Sequence, residues 1–373
     1  MLNFIKNFKN TKNFFSIKTN KKLIVFYSEG VNYRKYLSPV LNKFANDQNF
    51  KTVYVSSDIN DNEFISSNIE IFIIGGGLFR LIFFTLLKCE FLITSLSNLN
   101  NNIKVSKNCK KIAYIPHSLC STHKVYEKNA FQHYDIFFAT GNYQKEELKK
   151  AEKINNYNSK KIFDVGYVFF ENFNKKEFIS VKPEKNFVVF APSWQRDNKN
   201  LLKDFGKELI QTLIQKNFSV ILRTHPEALK RSKNSINSII KEFSREKKFF
   251  LNTDLRDFSA FKKSEILITD NGGVSIEYVY LFEKPVLYIN YSDKIQNKDF
   301  REIDENTIED YFKKNFCFEE QPDNLVNIEK KIQEIKNKFN SNRVNEAINF
   351  LEKEIFFKEK ASDQILKIIK DIK

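Results

Sequence analysis

The sequence predicts an α/β protein built on two largely parallel sheets, and three observations carry the prediction. Short apolar, β-branched and aromatic runs alternate with helix-like stretches along most of the chain, the pattern of parallel strands joined by crossover helices. At 373 residues the chain exceeds what one hydrophobic core organises, so two domains of about 150 to 200 residues are expected. Six of the nine glycines, Gly30, Gly75 to Gly77, Gly272 and Gly273, follow a predicted strand, where a missing Cβ lets backbone approach a ligand.

Composition narrows the class. Hydrophobic residues at 42%, with 39 Phe among them, argue for a folded protein despite 29% charged residues. The net charge of +15 points to an anionic partner: nucleic acid, a membrane surface or a phosphorylated substrate. Part of that charge is background, since Lys, Asn, Ile and Phe are all used heavily. No nucleic-acid-binding motif accompanies it, so no specific nucleic acid is expected. Cys89, Cys109, Cys120 and Cys317 show no C-x-x-C spacing, which argues against a zinc site and against a secreted disulfide scaffold and fits a reducing cytoplasm.

In chain order, the first 22 residues carry six Lys, four Phe and no acid, and lack the apolar core and cleavage site of a signal peptide. They read as a disordered basic lead, with an interfacial segment settling on an anionic membrane surface as the other reading. The runs KLIVFYS, TVYVSS, IEIFII, FLITS, KIAYI, DIFFAT and KIFDVG are expected strands of the first domain. Residues 78 to 96 are apolar enough to suggest a membrane span, but Arg80, Lys88 and Glu90 interrupt them, so a buried helix followed by a buried strand is expected. The first domain is placed at 1–168 and a linker, containing Pro183, at 169–186. The second domain, 187–373, holds NFVVFA, FSVILR, FFLN, EILIT and PVLYI as strands, with charged amphipathic helices after residue 322 packing across its outside.

Four stretches carry chemistry. EILITDNGGVSIEYVYLFEKPVLYI, 265 to 289, reads as strand, Asp270, Gly272-Gly273, helix and strand. The free N–H groups and dipole of that helix start suit a pyrophosphate, with Glu277 one turn further on for ribose hydroxyls; the plainer role for Asp270 is to cap the helix. FSVILRTHPEAL ends a strand with Arg223 and His225, a guanidinium and an imidazole suited to phosphate oxygens. NFVVFAPSWQRDN ends another with Ser193, Trp194 and Arg196, where Trp194 is either a core aromatic or part of the site. YIPHSLCSTH holds two of the four histidines; six residues apart, His117 and His123 lack the i, i+4 spacing of a metal pair on one helix face. They are either two satisfied loop histidines, or His117 is a general base projecting into an interdomain cleft, with His123 lining or orienting it.

The elements APSWQRD, ILRTHP and ITDNGGVSIEYVYLFEKPVLYI, and more weakly YSEGVNYRKYLSPVL, resemble the CDP-glycerol glycerophosphotransferases of teichoic acid and capsule synthesis. The resemblance is strongest from about residue 110 to 295. It implies a GT-B-like fold of two facing Rossmann-like domains, and transfer of glycerol phosphate or ribitol phosphate from a CDP-polyol to a hydroxyl of a glycan or lipid-linked acceptor, releasing CMP. By match, Arg223 and His225 hold the donor pyrophosphate and His117 is the base. Ser193, Trp194, Arg196, Asp270, Gly272, Gly273, Val274, Ser275 and Glu277 lie on the donor side, and Gly30 and His123 on the acceptor side. No cofactor or metal is implied. The chain departs from the family pattern in placing Gly272 and Gly273 where the family has two serines, and Ser118 after His117 where it has glycine. The Asp-Asn-Gly-Gly-Val form also resembles UDP-N-acetylglucosamine 2-epimerases and nucleotide-sugar glycosyltransferases, the alternative activity.

Overall fold

A computed structural model describes residues 2–61, 68–101, 103–195, 199–356 and 360–372. Seven parallel strands form the first sheet: β1 (Lys22–Ser28), β2 (Phe50–Ser56), β3 (Glu70–Ile73), β4 (Cys89–Thr94), β5 (Cys109–Tyr114), β6 (Ile136–Ala139) and β7 (Lys161–Asp164), in the order β3-β2-β1-β4-β5-β6-β7. The second sheet holds β8 (Phe187–Phe190), β9 (Ser219–Arg223), β10 (Phe249–Asn252), β11 (Ile266–Thr269), β12 (Val286–Ile289) and β13 (Phe318–Glu320), in the order β10-β9-β8-β11-β12-β13, again all parallel. All twelve expected strands are present. They are near-continuous apolar runs, as in the buried residues 188–190 of β8 and all of β11, because helices cover both faces of a parallel sheet. β13 escaped the sequence because Phe-Glu-Glu at a sheet edge has neither length nor an apolar run.

Each sheet changes direction once, at β1/β4 and at β8/β11. In open parallel sheets ligands bind beyond the carboxyl ends of the strands at such points. Here both ends open on one shared cleft.

Three expectations are corrected. The basic lead is not disordered: Leu2–Phe15 is a helix docked on the end of β3, where Asn10 donates to the Ile73 carbonyl and Phe14 is buried against Phe72 and Phe83. The stretch 169–186 is not a loose linker, since Phe169, Phe170 and Phe178 are buried in the second domain's core beside Tyr280 and Phe282. The chain does not end on the second domain either. After the Ser341–Glu354 helix it crosses back, and the Ala361–Asp371 helix buries Ala361, Ile365 and Ile369 against Leu41 and Phe44 of the first. That crossing passes Gly141 so closely that a Cβ there would sit 1.9 Å from the Glu354 carbonyl oxygen. The 78 to 96 stretch is the expected pair, a helix at Leu78–Leu86 and then β4.

Candidate active site

The cleft has a volume of about 670 Å³, within the range of small-molecule sites. Its first-domain wall is built from the ends of β1, β4 and β5. β5 runs into Ile115 and Pro116, and His117 follows, half-buried, in a nest of aromatic rings: Tyr33, Tyr36 and Tyr126 lie 5.7, 6.0 and 5.8 Å from its ring centre. His117 Nδ1 is 3.0 Å from the Ser95 carbonyl oxygen and 3.0 Å from the Tyr114 hydroxyl. A carbonyl can only accept, so Nδ1 carries the proton and Nε2 is the basic nitrogen. Burial, and then the positive charge of Lys294, depress its pKa to about 4, so the imidazole is neutral at physiological pH.

The second-domain wall is built from the ends of β8, β9 and β11. His225 caps the Pro226–Arg231 helix: its Nδ1 accepts from the Glu227 N–H at 3.1 Å. Burial, Lys294 and the nearby His117 hold its pKa well below the usual histidine value, so the ring is neutral. With Nδ1 accepting, the proton sits on Nε2. The two imidazoles are therefore near neighbours of opposite tautomer, one with a free lone pair and one with a free N–H.

The Val274–Phe282 helix begins at Gly272 and Gly273, and both line the cleft with Val274. Gly272 has φ +97°, a conformation that favours glycine. A Cβ on Gly273 would lie 2.6 Å from Ser118 Oγ and 3.0 Å from the Leu119 nitrogen. Glycine thus lets the helix start touch the loop that carries His117. Glu277, one turn in, accepts from Tyr167 Oη at 2.6 Å and faces Lys35, whose Nζ donates to the Leu255 carbonyl at 3.2 Å. Burial pulls the Lys35 pKa to about 7 and raises that of Glu277; their mutual attraction opposes both shifts. Arg80, Lys230, Arg231 and Lys294 also line the cleft, with Glu29 and Glu227 among them.

Of the expected site residues, His117, Ser193, Trp194, Arg223, His225, Gly272, Gly273, Val274 and Glu277 line this one space. Trp194 packs in the second domain's core and at the cleft wall, with the Arg231 guanidinium over its ring at 5.5 Å. Arg196 lies outside the described residues.

Some expected site residues, Arg223 of the cleft wall among them, are committed to partners within the protein. Arg223 was expected to grip phosphate, but its guanidinium donates to Asn252 Oδ1 and to the carbonyls of Leu255 and Asp257 at 2.6 to 2.8 Å, so it secures the loop behind the site. Asp270 does not cap the helix: its Oδ1 accepts from the Ser193 N–H at 2.7 Å, tying β11 to the β8 loop, and burial raises its pKa to about 6. Ser275 turns away, bonding the Gly272 carbonyl and the buried Tyr288 hydroxyl. His123 is fully packed outside the cleft, between Glu147 at 3.4 Å and the Asp304 carbonyl at 3.0 Å, which also disposes of a His117–His123 metal pair. Gly30 packs on Asp58 rather than facing the cleft, and Gly75 packs on Asn7 of the first helix.

Sequence reasoning missed Ser95, Lys35, Lys294 and the rings of Tyr33, Tyr36 and Tyr126. Tyr33, Lys35 and Tyr36 lie in YSEGVNYRKYLSPVL, a stretch already singled out. Ser95 and Lys294 follow separate strands, and no spacing connects them.

Two facing parallel α/β domains with a basic, glycine-lined cleft between their strand ends define a GT-B enzyme. Within that class the chain belongs to the CDP-glycerol:poly(glycerophosphate) glycerophosphotransferase family, which matches residues 10–306. It is therefore a glycerophosphotransferase-type enzyme. Among solved structures, the wall teichoic acid polymerase TagF with CDPG is similar at 16% identity, covering 98% of this chain and 94% of that one with a TM-score of 0.59. UDP-GlcNAc 2-epimerases share the fold: that of Neisseria meningitidis bound to UDP-GlcNAc at 15% identity, 94% and 100% coverage and TM-score 0.60; that of Methanocaldococcus jannaschii with UDP-GlcNAc and UDP at 15%, 94% and 99%, and 0.58. No curated protein sequence matches the chain.

Proposed function

We propose that the enzyme moves glycerol phosphate or ribitol phosphate from a CDP-polyol to a hydroxyl of a glycan or lipid-linked acceptor, releasing CMP. The observation that carries this reading is the pair of complementary neutral imidazoles beside a helix start. The donor pyrophosphate lies against the free N–H groups at Gly273 and Val274, where the helix dipole favours negative charge. Lys294, Lys230 and Arg231 complete the anion site. The acceptor oxygen attacks the phosphorus that bears the polyol, and its proton passes to His117 Nε2. The bond from that phosphorus to the bridging oxygen breaks, and CMP leaves with the electron pair. His225 Nε2–H donates to a phosphate oxygen and gains strength as charge shifts to the leaving group. Positioning and charge stabilisation supply most of the acceleration.

We place the reaction in the cytoplasm, with the chain held peripherally at the inner face of an anionic membrane; four unpaired cysteines and the basic balance support this. Among the described residues no helix is long and apolar enough to cross a membrane.

The test is a donor screen with purified protein. CMP release from CDP-glycerol or CDP-ribitol, dependent on a hydroxyl acceptor, is the expected result. UDP release from a nucleotide sugar or epimerisation of UDP-GlcNAc, with no turnover of either CDP-polyol, overturns it.

A further inference from the structure

The loop that carries His117 is pinned from both sides of the molecule. Leu119, two residues beyond the imidazole, comes from the first domain but is fully buried in the second domain's core with Ile276 and Tyr280. A Cβ added to Gly273 would lie 2.6 Å from Ser118 Oγ and 3.4 Å from Cys120 Sγ, so the loop also rests on the helix start that faces the cleft. The next two residues are each gripped by a buried carboxylate. The Ser121 N–H donates to Glu309 Oε2 at 2.9 Å and its hydroxyl donates to Oε1 at 2.6 Å. The Thr122 N–H and hydroxyl both donate to Glu147 Oε2, at 2.6 and 2.8 Å. Glu147 stands on the Asn142–Asn155 helix of the first domain and Glu309 in the first turn of the Ile308–Phe316 helix of the second. Adjacent residues of one loop are thus held by opposite domains.

Cohesion alone does not explain a carboxylate here. Burial raises the Glu309 pKa, the Ser121 bonds lower it and the Glu147 charge raises it again, and an apolar side chain would join the domains without that desolvation. What a carboxylate adds is direction, because two parallel acceptors fix both the orientation and the register of the backbone at Ser121. Glu309 is not among the residues that line the cleft, so it reaches the reaction only through the loop.

We propose that Glu309 is a positioning residue for the transfer: by holding Ser121 it fixes the loop from Pro116 to Ser121 against the Gly273 helix start, and so sets the gap between His117 Nε2 and the phosphorus bound there. This rests on the reading of His117 as the base. Base and donor site lie on different domains, so the gap between them is set by whatever joins the domains nearest to both. An error of about 1 Å in such a gap costs about 10²-fold in rate.

The test uses the full chain and reads kcat per folded molecule. Glu309→Ala removes both acceptors and should lower kcat about 10²-fold, with the donor KM within about threefold of wild type. Glu309→Gln can accept the Ser121 N–H on its carbonyl while its N–H₂ donates to the turned hydroxyl, so kcat should stay within about threefold. Glu309→Asp keeps the charge, falls one methylene short and should lose kcat as the Ala variant does. Lys124→Gln cuts the loop's ion pair with Asp310 and leaves Ser121 held, so it should lower the melting temperature without lowering kcat. In a His117→Ala background Glu309→Ala should cost little more, since the group it positions is gone. Wild-type kcat in Glu309→Ala overturns the proposal, as does an equal loss in the His117→Ala background, or a kcat for Asp above that for Gln; the last comparison decides alone if the Ala variant does not fold. The Cε1–H resonance of His117, assigned by its loss in His117→Gln, gives a readout free of the donor. It should titrate near pH 4 in wild type and about one unit higher in Glu309→Asp, where the loosened loop admits solvent. If wild type turns over neither CDP-polyol, the donor reading fails, and this resonance still decides: an unmoved midpoint overturns the positioning role and a raised one supports it.

Discussion

At the end of β4, Thr94 Oγ1 donates to the Tyr27 carbonyl of β1; at the end of β11, Thr269 Oγ1 donates to the Ala191 carbonyl beyond β8. The two switch points are thus tied by the same threonine bond, yet the walls above them differ in kind. The first-domain wall surrounds one imidazole with four tyrosine rings and turns its free lone pair to the cleft. The second-domain wall offers a helix start, an N–H-bearing imidazole and a run of cations. The difference teaches that the shared architecture supplies only the location. On the proposed reading, burial among the rings and the nearby Lys294 charge keep the proton acceptor unprotonated, whereas the phosphate meets donors and positive charge, so each task has its own domain.

Substituting across the cleft tests this division. The largest effect is expected from His117→Ala: turnover falls by about 10² or more while donor affinity, read by nucleotide titration, barely changes. If donor binding falls with it, the first-domain wall is not a separate acceptor side. His225→Ala should lower turnover by about 10² to 10³, with weaker donor binding as well, because its N–H belongs to the phosphate side. A variant with intact donor affinity and lost turnover would move His225 to the proton-transfer role.

The pH profile sharpens the same contrast. A base must be unprotonated to act, and the His117 pKa is depressed to about 4. The acid limb it sets in kcat/KM should therefore lie near that pH, below the limb of an ordinary histidine. A limb near 6.5 that disappears in His117→Gln would mean that the ring is solvated and the aromatic nest does not tune it. The sign for stability is separate: a folded pKa below the unfolded one means that the unfolded chain binds more protons, so this histidine withdraws stability as pH falls from about 6.5.

Arg223→Ala is expected to act at one remove. It strips donors from the carbonyls of Leu255 and Asp257 and should cost about 1 to 3 kcal/mol of stability, read by thermal denaturation, with a raised KM for donor and a smaller change in kcat. A pure kcat loss at unchanged melting temperature would restore it to direct phosphate contact. The smallest effect on turnover is expected from His123→Ala, which removes a ring beside Glu147 of its own domain and an Nε2 bond to the Asp304 carbonyl that joins the domains away from the cleft. It should destabilise the fold and leave CMP release per folded molecule close to wild type.

What the sequence revealed follows the same physical line. Strands were legible because each is a compact apolar run, and Gly272-Gly273 announced a helix start because a glycine pair after a strand suits a positive φ, as at Gly272, and a close approach, as at Gly273. His117 stood out by following a strand behind a proline. The misplaced residues share another cause. Arg223, Ser275 and His123 are polar groups near strand ends, and whether such a group faces a ligand or satisfies a buried carbonyl depends on segments far away in sequence: Asn252 to Asp257 for the first, Tyr288 for the second, Asp304 for the third. Local pattern marks the residue; only the packed partner decides its use. The first helix was missed for a related reason, since its weakly apolar sequence gains its order from docking on β3.

The return of the chain to its first domain bears on how the protein is made. Leu41 and Phe44 belong to the core beneath β1 and β2, and the side chains that cover them, Ala361, Ile365 and Ile369, are translated after both sheets. Domains generally fold as units, the N-terminal one first as the chain emerges. Here that early unit keeps an uncovered apolar flank on the Ser38–Ala45 helix until residue 369 has left the ribosome, through the synthesis of more than 200 further residues after β7 closes the sheet. A chain cut between Glu354 and Ala361 therefore has both sheets complete and an adhesive surface on the half that folded first.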